Sequence, residues 1–155
     1  MSLRIERSTN DGVTTLTLHG AIDENAELAS LPKVDAAKVI IDMTAVDRIN
    51  SVGINRWLPI MRELSSKRTV SVVRLSYAAS LQASSISDLF ASAEILSCLA
   101  PYYCARCGAT PTIEVTAQEY RDVGQPPAKS CPSCSGALEF DELEEYLSFL
   151  ARSKS

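Results

Sequence analysis

Four cysteines in the last third of the chain constrain its fold more than any other feature. They form two Cys-x-x-Cys pairs, Cys104 with Cys107 and Cys131 with Cys134, with 23 residues between the pairs. Two intervening residues let both sulfurs of a tight turn face one ion, and two such turns supply the four thiolates of a tetrahedral metal site. The spacing therefore predicts a metal-stabilised module, and a different unit must occupy the residues before it.

Zinc is the metal that this cysteine pattern favours, and its role is predicted to be structural, since four thiolates leave no open coordination position. A rubredoxin-like iron site is the alternative, because iron accepts the same tetrahedral set of sulfurs. Gly108 and Gly136 follow the two pairs, and we expect them to let the backbone turn so that N–H groups face sulfur. Few large apolar side chains occur here, so we expect this module to depend on its metal for folding.

The remaining sequence alternates strand and helix patterns, with one strongly amphipathic helix carrying Ile54, Trp57, Leu58, Met61 and Leu64 on one face. The predicted elements, in order, are a hairpin of residues 3–8 and 13–19, a weak helix over 24–31, a buried strand over 39–43, the amphipathic helix, a strand over 69–75, a helix over 78–90 and a strand over 93–99. This order predicts an α/β fold whose central strands are parallel. The antiparallel hairpin at the start makes the sheet a mixed one.

The first unit is predicted to span residues 1–99, and the second unit, which holds the cysteines, is predicted to span residues 100–155. A strand over 111–116 is expected in the cysteine module, followed by a terminal amphipathic helix with Leu143, Tyr146, Leu147 and Leu150 on its apolar stripe. No flexible linker separates the units, so we expect them to pack together, with Tyr102 and Tyr103 filling the junction.

Charge disfavours nucleic acid as a partner. The chain has 15 Lys and Arg against 19 Asp and Glu, and residues 100–155 hold five basic against eight acidic residues. Four thiolates around a divalent metal would add further negative charge, whereas binding to phosphates depends on Lys and Arg. A zinc-ribbon transcription or nucleic-acid-associated factor is therefore only an alternative function for this chain. A rubredoxin-like electron carrier is the second alternative.

Several motifs that would indicate an enzyme or a membrane protein are missing from the sequence. It contains no Gly-rich nucleotide-binding loop, no nucleophile elbow and no His-Glu-x-x-His, and His19 is the single histidine. We therefore expect a non-enzymatic protein.

The first residues lack an apolar signal region and no stretch reaches the length of a membrane span, which predicts a cytoplasmic protein without membrane insertion. In that compartment, paired cysteines indicate metal ligands, while the isolated Cys98 is expected in the core.

One segment of the first unit carries a family signature. Residues 39–58 combine a buried strand, a short loop and the sequence Asn50-Ser51-Val52-Gly53 at the start of the amphipathic helix. This resembles the Asp-Ser-x-Gly signature of STAS domains, the fold of anti-sigma factor antagonists in bacteria, and residues 18–23 resemble the second strand of that family. The resemblance covers residues 3–99 and implies a STAS-like mixed sheet with helices packed on it. It does not extend to the cysteine module.

The resemblance implies a non-enzymatic signalling adaptor that binds a protein. Many members accept a phosphate on the motif serine from a kinase that is also an anti-sigma factor, and only the unphosphorylated form binds its target. Carried to this chain, Ser51 is the candidate phosphorylation site. Asn50, Ser51, Gly53, Asn55 and Arg56 are the candidate partner-binding residues, the partner class is a serine kinase or anti-sigma-like protein, and a homodimer stays open.

The motif departs from the family at its first position, where Asn50 stands in place of Asp. Asparagine keeps the hydrogen-bonding shape but lacks the negative charge. The alternative to phosphorylation is therefore a docking module in which Ser51 caps the helix, since serine is a preferred N-cap residue.

Overall fold

The computed structural model describes residues 2–151. They form eight strands, three α-helices and one 3-10 helix. In order these are β1 (Arg4–Asn10), β2 (Val13–Ile22), β3 (Lys38–Ile49), α1 (Ser51–Lys67), β4 (Thr69–Val73), α2 (Tyr77–Ser85), β5 (Glu94–Ile95), β6 (Ser97–Tyr103), β7 (Thr112–Thr116), α3 (Ala117–Val123), β8 (Glu139–Phe140) and the 3-10 helix Glu144–Ala151.

The first five strands form one sheet in the order β1-β2-β3-β4-β5. β1 runs antiparallel to β2 through a tight turn in which Asp11 and Gly12 have φ of 52° and 78°. Such a two-residue turn with positive φ matches the twist of a hairpin. The other neighbours are parallel. The predicted mixed α/β sheet is therefore confirmed.

Strands β2 and β3 are longer than the sequence pattern predicts. Leu16 and Leu18 are fully buried, as the alternation indicates, but β2 continues past His19 to Ile22. Gly20 does not end the strand: it adopts φ of 107° beside two register shifts between β2 and β3. A glycine tolerates this conformation inside a bulge, so the pairing resumes and delivers Ile22 beside Ile49.

Helix α1 is confirmed, whereas the other two helices predicted in residues 1–99 change. Residues 24–31 form turns rather than a helix, with Ala26 N–H donating to Asp23 O at 3.2 Å and Leu31 N–H to Leu28 O at 3.0 Å. Proline at 32 follows at once, and so short a segment cannot offset helix nucleation. Helix α2 ends at Ser85 instead of Phe90. Within residues 2–151, no helix combines the length and apolar character needed to cross a membrane.

The boundary drawn between residues 99 and 100 falls inside β6, which joins the two sheets. β6 pairs with β7 and β8 in a second, antiparallel sheet of order β7-β6-β8. Its first residues also bond to Leu75, two residues beyond β4: Leu75 N–H donates to Ser97 O at 3.2 Å and Leu99 N–H donates to Leu75 O at 2.8 Å. In place of the single strand predicted over 93–99, the structure has two strands, β5 and β6.

The last helix is a 3-10 helix rather than the amphipathic α-helix expected from the sequence. Its buried side chains are Tyr146, Leu147, Phe149 and Leu150. Three residues per turn align 146 with 149 and 147 with 150, which explains this spacing. Leu143 lies before the helix and is 66% exposed, so its predicted place on the buried stripe is wrong.

Candidate functional site: the Ser51 loop and the four-cysteine cluster

Ser51 is the first residue of α1, and its side chain is exposed. The N-cap is Asn50 and not Ser51, because the Asn50 Oδ1 atom accepts a hydrogen bond from Gly53 N–H at 2.8 Å. Asparagine is as good an N-cap as aspartate or serine, so capping accounts for Asn50 without requiring Ser51. The Ser51 hydroxyl is therefore left on the surface at the positive end of the helix dipole.

Gly53 is buried and sets how closely α1 approaches β2. A Cβ atom built on Gly53 would lie 1.9 Å from the carbonyl oxygen of Ile22. Asn50 N–H donates to that same carbonyl at 3.2 Å. The glycine therefore fixes the helix start against the end of β2, and its contribution to the loop is the absence of a side chain.

Charged groups from β3 and from the segment after β2 surround the loop. The Asn50 Nδ2 atom donates to Glu24 Oε2 at 2.9 Å, and Arg48 pairs with the buried Asp23 at 2.7 Å. Arg56 donates to the backbone carbonyl oxygens of Asp23 and Glu24, at 3.0 and 3.1 Å. The hydrogen bond from Asn50 is the main cause of the lowered pKa of Glu24, so this exposed carboxylate is ionised at neutral pH.

The structure thus brings the candidate residues Asn50, Ser51 and Arg56 together at the start of α1, with Asn55 exposed one turn along the helix. The fifth candidate, Gly53, is buried. Sequence reasoning missed Glu24 and Arg48. A signal existed for Glu24, since Asn50 replaces the acid of the family motif and an amide can donate to a neighbouring carboxylate.

The four sulfurs of Cys104, Cys107, Cys131 and Cys134 all lie within 4.8 Å of one another. The distance from Cys104 Sγ to Cys134 Sγ is 3.5 Å, and that from Cys107 Sγ to Cys131 Sγ is 3.7 Å. Four sulfurs at about 2.3 Å from one zinc would be separated by about 3.8 Å in a tetrahedron. The donor set and its geometry therefore fit a single tetrahedral ion, and these four cysteines could hold it.

The two Cys-x-x-Cys turns share one backbone pattern. Gly108 N–H donates to Cys104 O at 2.8 Å and Ser135 N–H donates to Cys131 O at 2.9 Å. Both donors have positive φ, 78° for Gly108 and 64° for Ser135. The expectation for Gly108 is met, but the left-handed position of the second turn is Ser135 and not Gly136. Gly136 instead leaves space for the Cys134 sulfur, because a Cβ atom built on Gly136 would lie 3.3 Å from Cys134 Sγ.

Backbone N–H groups stabilise negative charge on the sulfurs. The pKa of Cys131 is lowered to about 7, first by the N–H of Cys134 and then by that of Ser133. The N–H of Cys107 is the main cause of the lowered pKa of Cys104. The N–H groups of Ala109 and Gly136 likewise act to lower the pKa values of Cys107 and Cys134, although burial and hydrogen bonds with neighbouring sulfurs together raise both pKa values overall. The turns are therefore built to hold thiolates, the form that binds metal.

Aromatic side chains pack inside the cysteine module and join its last helix to α2. Tyr102 is buried, edge-on to Phe140 at 5.6 Å, and its hydroxyl donates to Pro127 O at 2.8 Å. Tyr146 stacks on Tyr77 of α2 at 5.6 Å. Tyr103 is exposed, so it does not fill the junction as expected, and the contacts of Tyr102 with Phe140 and Pro127 lie within the module.

Cys98 and His19 both lie outside the four-cysteine cluster. Cys98 is fully buried, and burial is the main cause of its pKa rising to about 12, so it is an unreactive core residue as predicted. His19 lies in β2 and its Nε2 atom is 2.6 Å from Glu6 Oε1, apart from the four-cysteine cluster.

Comparison with known proteins yields a structural similarity and no sequence match. Neither a protein-family model nor a curated protein matches the chain. The structure is similar to the crystal structure of an anti-sigma factor antagonist from Mycobacterium paratuberculosis, with 18% sequence identity and a TM-score of 0.49. The similarity covers 60% of this chain and 84% of that chain.

Proposed function

We propose that this protein is a non-enzymatic signalling adaptor of the anti-sigma factor antagonist type. In this proposal the surface formed by Asn50 and by Ser51, Asn55 and Arg56 of α1 binds a serine kinase or anti-sigma-like protein. Phosphorylation of Ser51 controls that binding. The observation that carries the proposal is the exposed Ser51 hydroxyl, which opens α1 while the neighbouring Asn50 performs the capping.

The surroundings of Ser51 support a switch that leaves the fold intact. A phosphate there would add about two negative charges at the favourable end of a helix dipole. It would also lie on the loop that holds the ionised Glu24 carboxylate, one residue away through Asn50. Added negative charge on a surface that already holds a carboxylate changes which partner surfaces it can meet, without removing any contact of the core.

The four cysteines supply the second part of the proposal, a structural Zn²⁺ ion that holds the appended module in place. Closed coordination by four sulfurs gives the ion no position for substrate. Protein purified without added chelator should contain one equivalent of zinc by elemental analysis. A red colour with iron in that analysis would instead favour the electron carrier.

A pull-down tests the adaptor role. Wild-type protein, Ser51→Ala, Ser51→Asp and the control Ser87→Ala, an exposed serine after α2, would be used as bait, with mass spectrometry of the captured proteins and of the phosphorylated residues. We expect wild type, Ser51→Ala and Ser87→Ala to retain a kinase-like partner that Ser51→Asp loses. Equal capture by all four baits, with phosphate never found on Ser51, would leave no role for the switch.

A further inference from the structure

Strand β1 is an edge of the five-stranded sheet, and one side of its backbone has no neighbouring strand among residues 2–151. Its other side pairs with β2, and all of its side chains except that of Ile5 are exposed. The strand contains neither proline nor glycine, so it offers a row of unpaired N–H and C=O groups to another strand. Charged side chains normally protect such an edge, and their arrangement therefore decides which strand can pair with it.

The hairpin determines which residues of β1 direct their backbone groups to the free side. In a two-residue hairpin the residues that flank the turn, here Asn10 and Val13, form a hydrogen-bonded pair. Such pairs alternate along an antiparallel ladder, and the register between β1 and β2 is continuous. The even-numbered residues of β1 therefore bond to β2, whereas the odd-numbered residues Ile5, Arg7 and Thr9 turn their N–H and C=O groups outwards.

A second copy of the chain can pair with this edge in antiparallel fashion around a two-fold axis. The axis carries each face of the sheet onto itself, so residues opposite each other must both be odd-numbered or both even-numbered. Pairing centred on Arg7 sets two arginines opposite each other, and pairing centred on Glu6 sets two glutamates opposite each other. Pairing centred on Ser8 or beyond makes no ion pair within β1. Pairing centred on Ile5 instead sets Arg4 opposite Glu6 twice.

The charged groups that this register would join are available. Glu6 Oε1 lies 2.6 Å from His19 Nε2, and the Glu6 Oε2 atom has no partner among residues 2–151. Arg4 forms no ion pair within the same residues. The next charges across that face of the sheet, Asp42 and Arg74, are already paired with each other. The Arg4 guanidinium of a second copy can therefore reach Glu6 without displacing an existing pair.

The opposite face of β1 supplies an apolar contact in the same register. Ile5 lies opposite the fully buried Leu18, and both Ile5 and Leu3 pack against the core while staying half-exposed at the edge. Pairing centred on Ile5 brings the two isoleucines together at the axis. It also places each Leu3 opposite the aliphatic part of an Arg7 side chain. These apolar side chains would lose their remaining contact with water, which favours association.

We propose that the protein self-associates through β1, with Ile5 on the two-fold axis and with reciprocal ion pairs between Arg4 and Glu6. The two five-stranded sheets would then form one continuous sheet. The contact is isologous and closes on itself, so it yields a dimer and not a fibre. The proposal goes beyond the function proposed for Ser51 and does not depend on it, because none of its residues belongs to the surface around Ser51.

Sedimentation velocity of the full chain tests this pairing, at low ionic strength, where ion pairs at a surface contribute most. We expect wild type to shift from monomer towards dimer as its concentration rises. Arg4→Glu and Glu6→Arg should each self-associate about tenfold more weakly, since each creates two pairs of like charge. An equal mixture of these two variants should recover the association, because one copy then carries two acidic residues and the other two arginines at the paired positions.

Ser8→Glu is the matched control, since Ser8 is exposed on the same face of β1 and lies outside the proposed ion pairs. It should associate as wild type does, and circular dichroism should show every variant folded. Wild type that stays monomeric up to about 1 mM would overturn the proposal. Association that Arg4→Glu leaves unchanged, or that the mixture fails to recover, would also overturn it. Loss of association in Ser8→Glu alone would overturn it in favour of pairing centred on Ser8.

Discussion

The side-chain amide of Asn50 donates to the carboxylate of Glu24 across 2.9 Å while its oxygen accepts from the backbone of Gly53. One residue therefore caps α1 and holds an acidic group from the segment after β2 beside Ser51. An aspartate at position 50 could perform the capping but not the second task, since it would bring a carboxylate against Glu24.

This relationship predicts that Asn50→Asp weakens the folded protein and that Glu24→Gln rescues it. In the double variant the amide introduced at position 24 can donate to the carboxylate introduced at position 50, so the bond is restored with donor and acceptor exchanged. Urea unfolding of wild type, both single variants and the double variant forms a mutant cycle, and we expect a favourable coupling between the two changes. An NMR titration should also show the pKa of Glu24 rising in Asn50→Asp. Additive effects, with an unchanged Glu24 titration, would contradict the pairing.

The close approach at Gly53 predicts a large cost for a single methyl group. In Gly53→Ala the new Cβ would meet the Ile22 carbonyl at 1.9 Å, and backbone atoms must move to relieve that overlap. We expect a loss of about 3 kcal/mol in the free energy of unfolding. Gly12→Ala is the control, since it has positive φ with nothing within 4 Å of its Cβ. Its cost should stay near about 1 kcal/mol, the strain of the left-handed backbone alone. Similar losses for the two variants would mean that α1 can shift freely.

Local spacing predicted the features that depend on residues close in sequence. The Cys-x-x-Cys turns and the apolar stripe of α1 are of this kind, because two-residue separation and helical periodicity determine them directly. The Asn50–Glu24 contact joins residues 26 apart in the chain, and it exists only because β2 and β3 end side by side. No pattern within either segment contains that information.

The strand predicted over 93–99 and the last helix show a second reason why the structure differs from the prediction made from sequence. A short apolar run indicates a strand but not its partner, and β6 leaves the neighbourhood of β4 to pair with β7 and β8. Likewise, the residues after Leu143 are amphipathic at either helical period. The packing of Tyr146 on Tyr77 accompanies the tighter 3-10 form, and tertiary contact overrides propensity there.

Ser135 predicts a stabilising substitution in the second cysteine turn. It adopts φ of 64°, the conformation that Gly108 adopts in the first turn. Ser135→Gly should remove strain of about 1 kcal/mol, and Gly108→Ser should introduce a similar amount. In competition with a chelator, these changes correspond to about fivefold tighter and about fivefold weaker zinc retention. Zinc retention must change in opposite directions in the two variants. Equal weakening of zinc retention by both would show that the two turns are not equivalent.

The ion pair between Asp42 and Arg74 predicts a loss of stability in acid. Burial alone would raise the pKa of Asp42, but hydrogen bonds from Arg74 and Thr44 outweigh it and lower the pKa overall. Since the folded pKa lies below the unfolded value, the stabilisation is fully present above a pH of about 4 and is lost as pH falls through the folded pKa. In urea unfolding between about pH 5 and pH 2, Asp42→Asn should show a shallower decline than wild type. Asp88→Asn removes a surface pair of 3.5 Å with Arg62 and should keep the wild-type profile.

Metal removal is predicted to release the cysteine module while the first sheet persists. Structural zinc contributes about 10 kcal/mol or more to the folding of small modules, and the turns around Cys104 and Cys131 would then lose the ligand that holds their four sulfurs together. The five-stranded sheet keeps its own hydrogen bonds and its buried residues Leu16, Ile41 and Val72. After chelation, limited proteolysis should therefore cut within residues 105–137 and leave a resistant fragment that contains β1 to β4. Added zinc should restore resistance, with Cys107→Ser, whose site has only three thiolates, as the control that regains little. A module that stays resistant without metal would contradict the structural role of the ion.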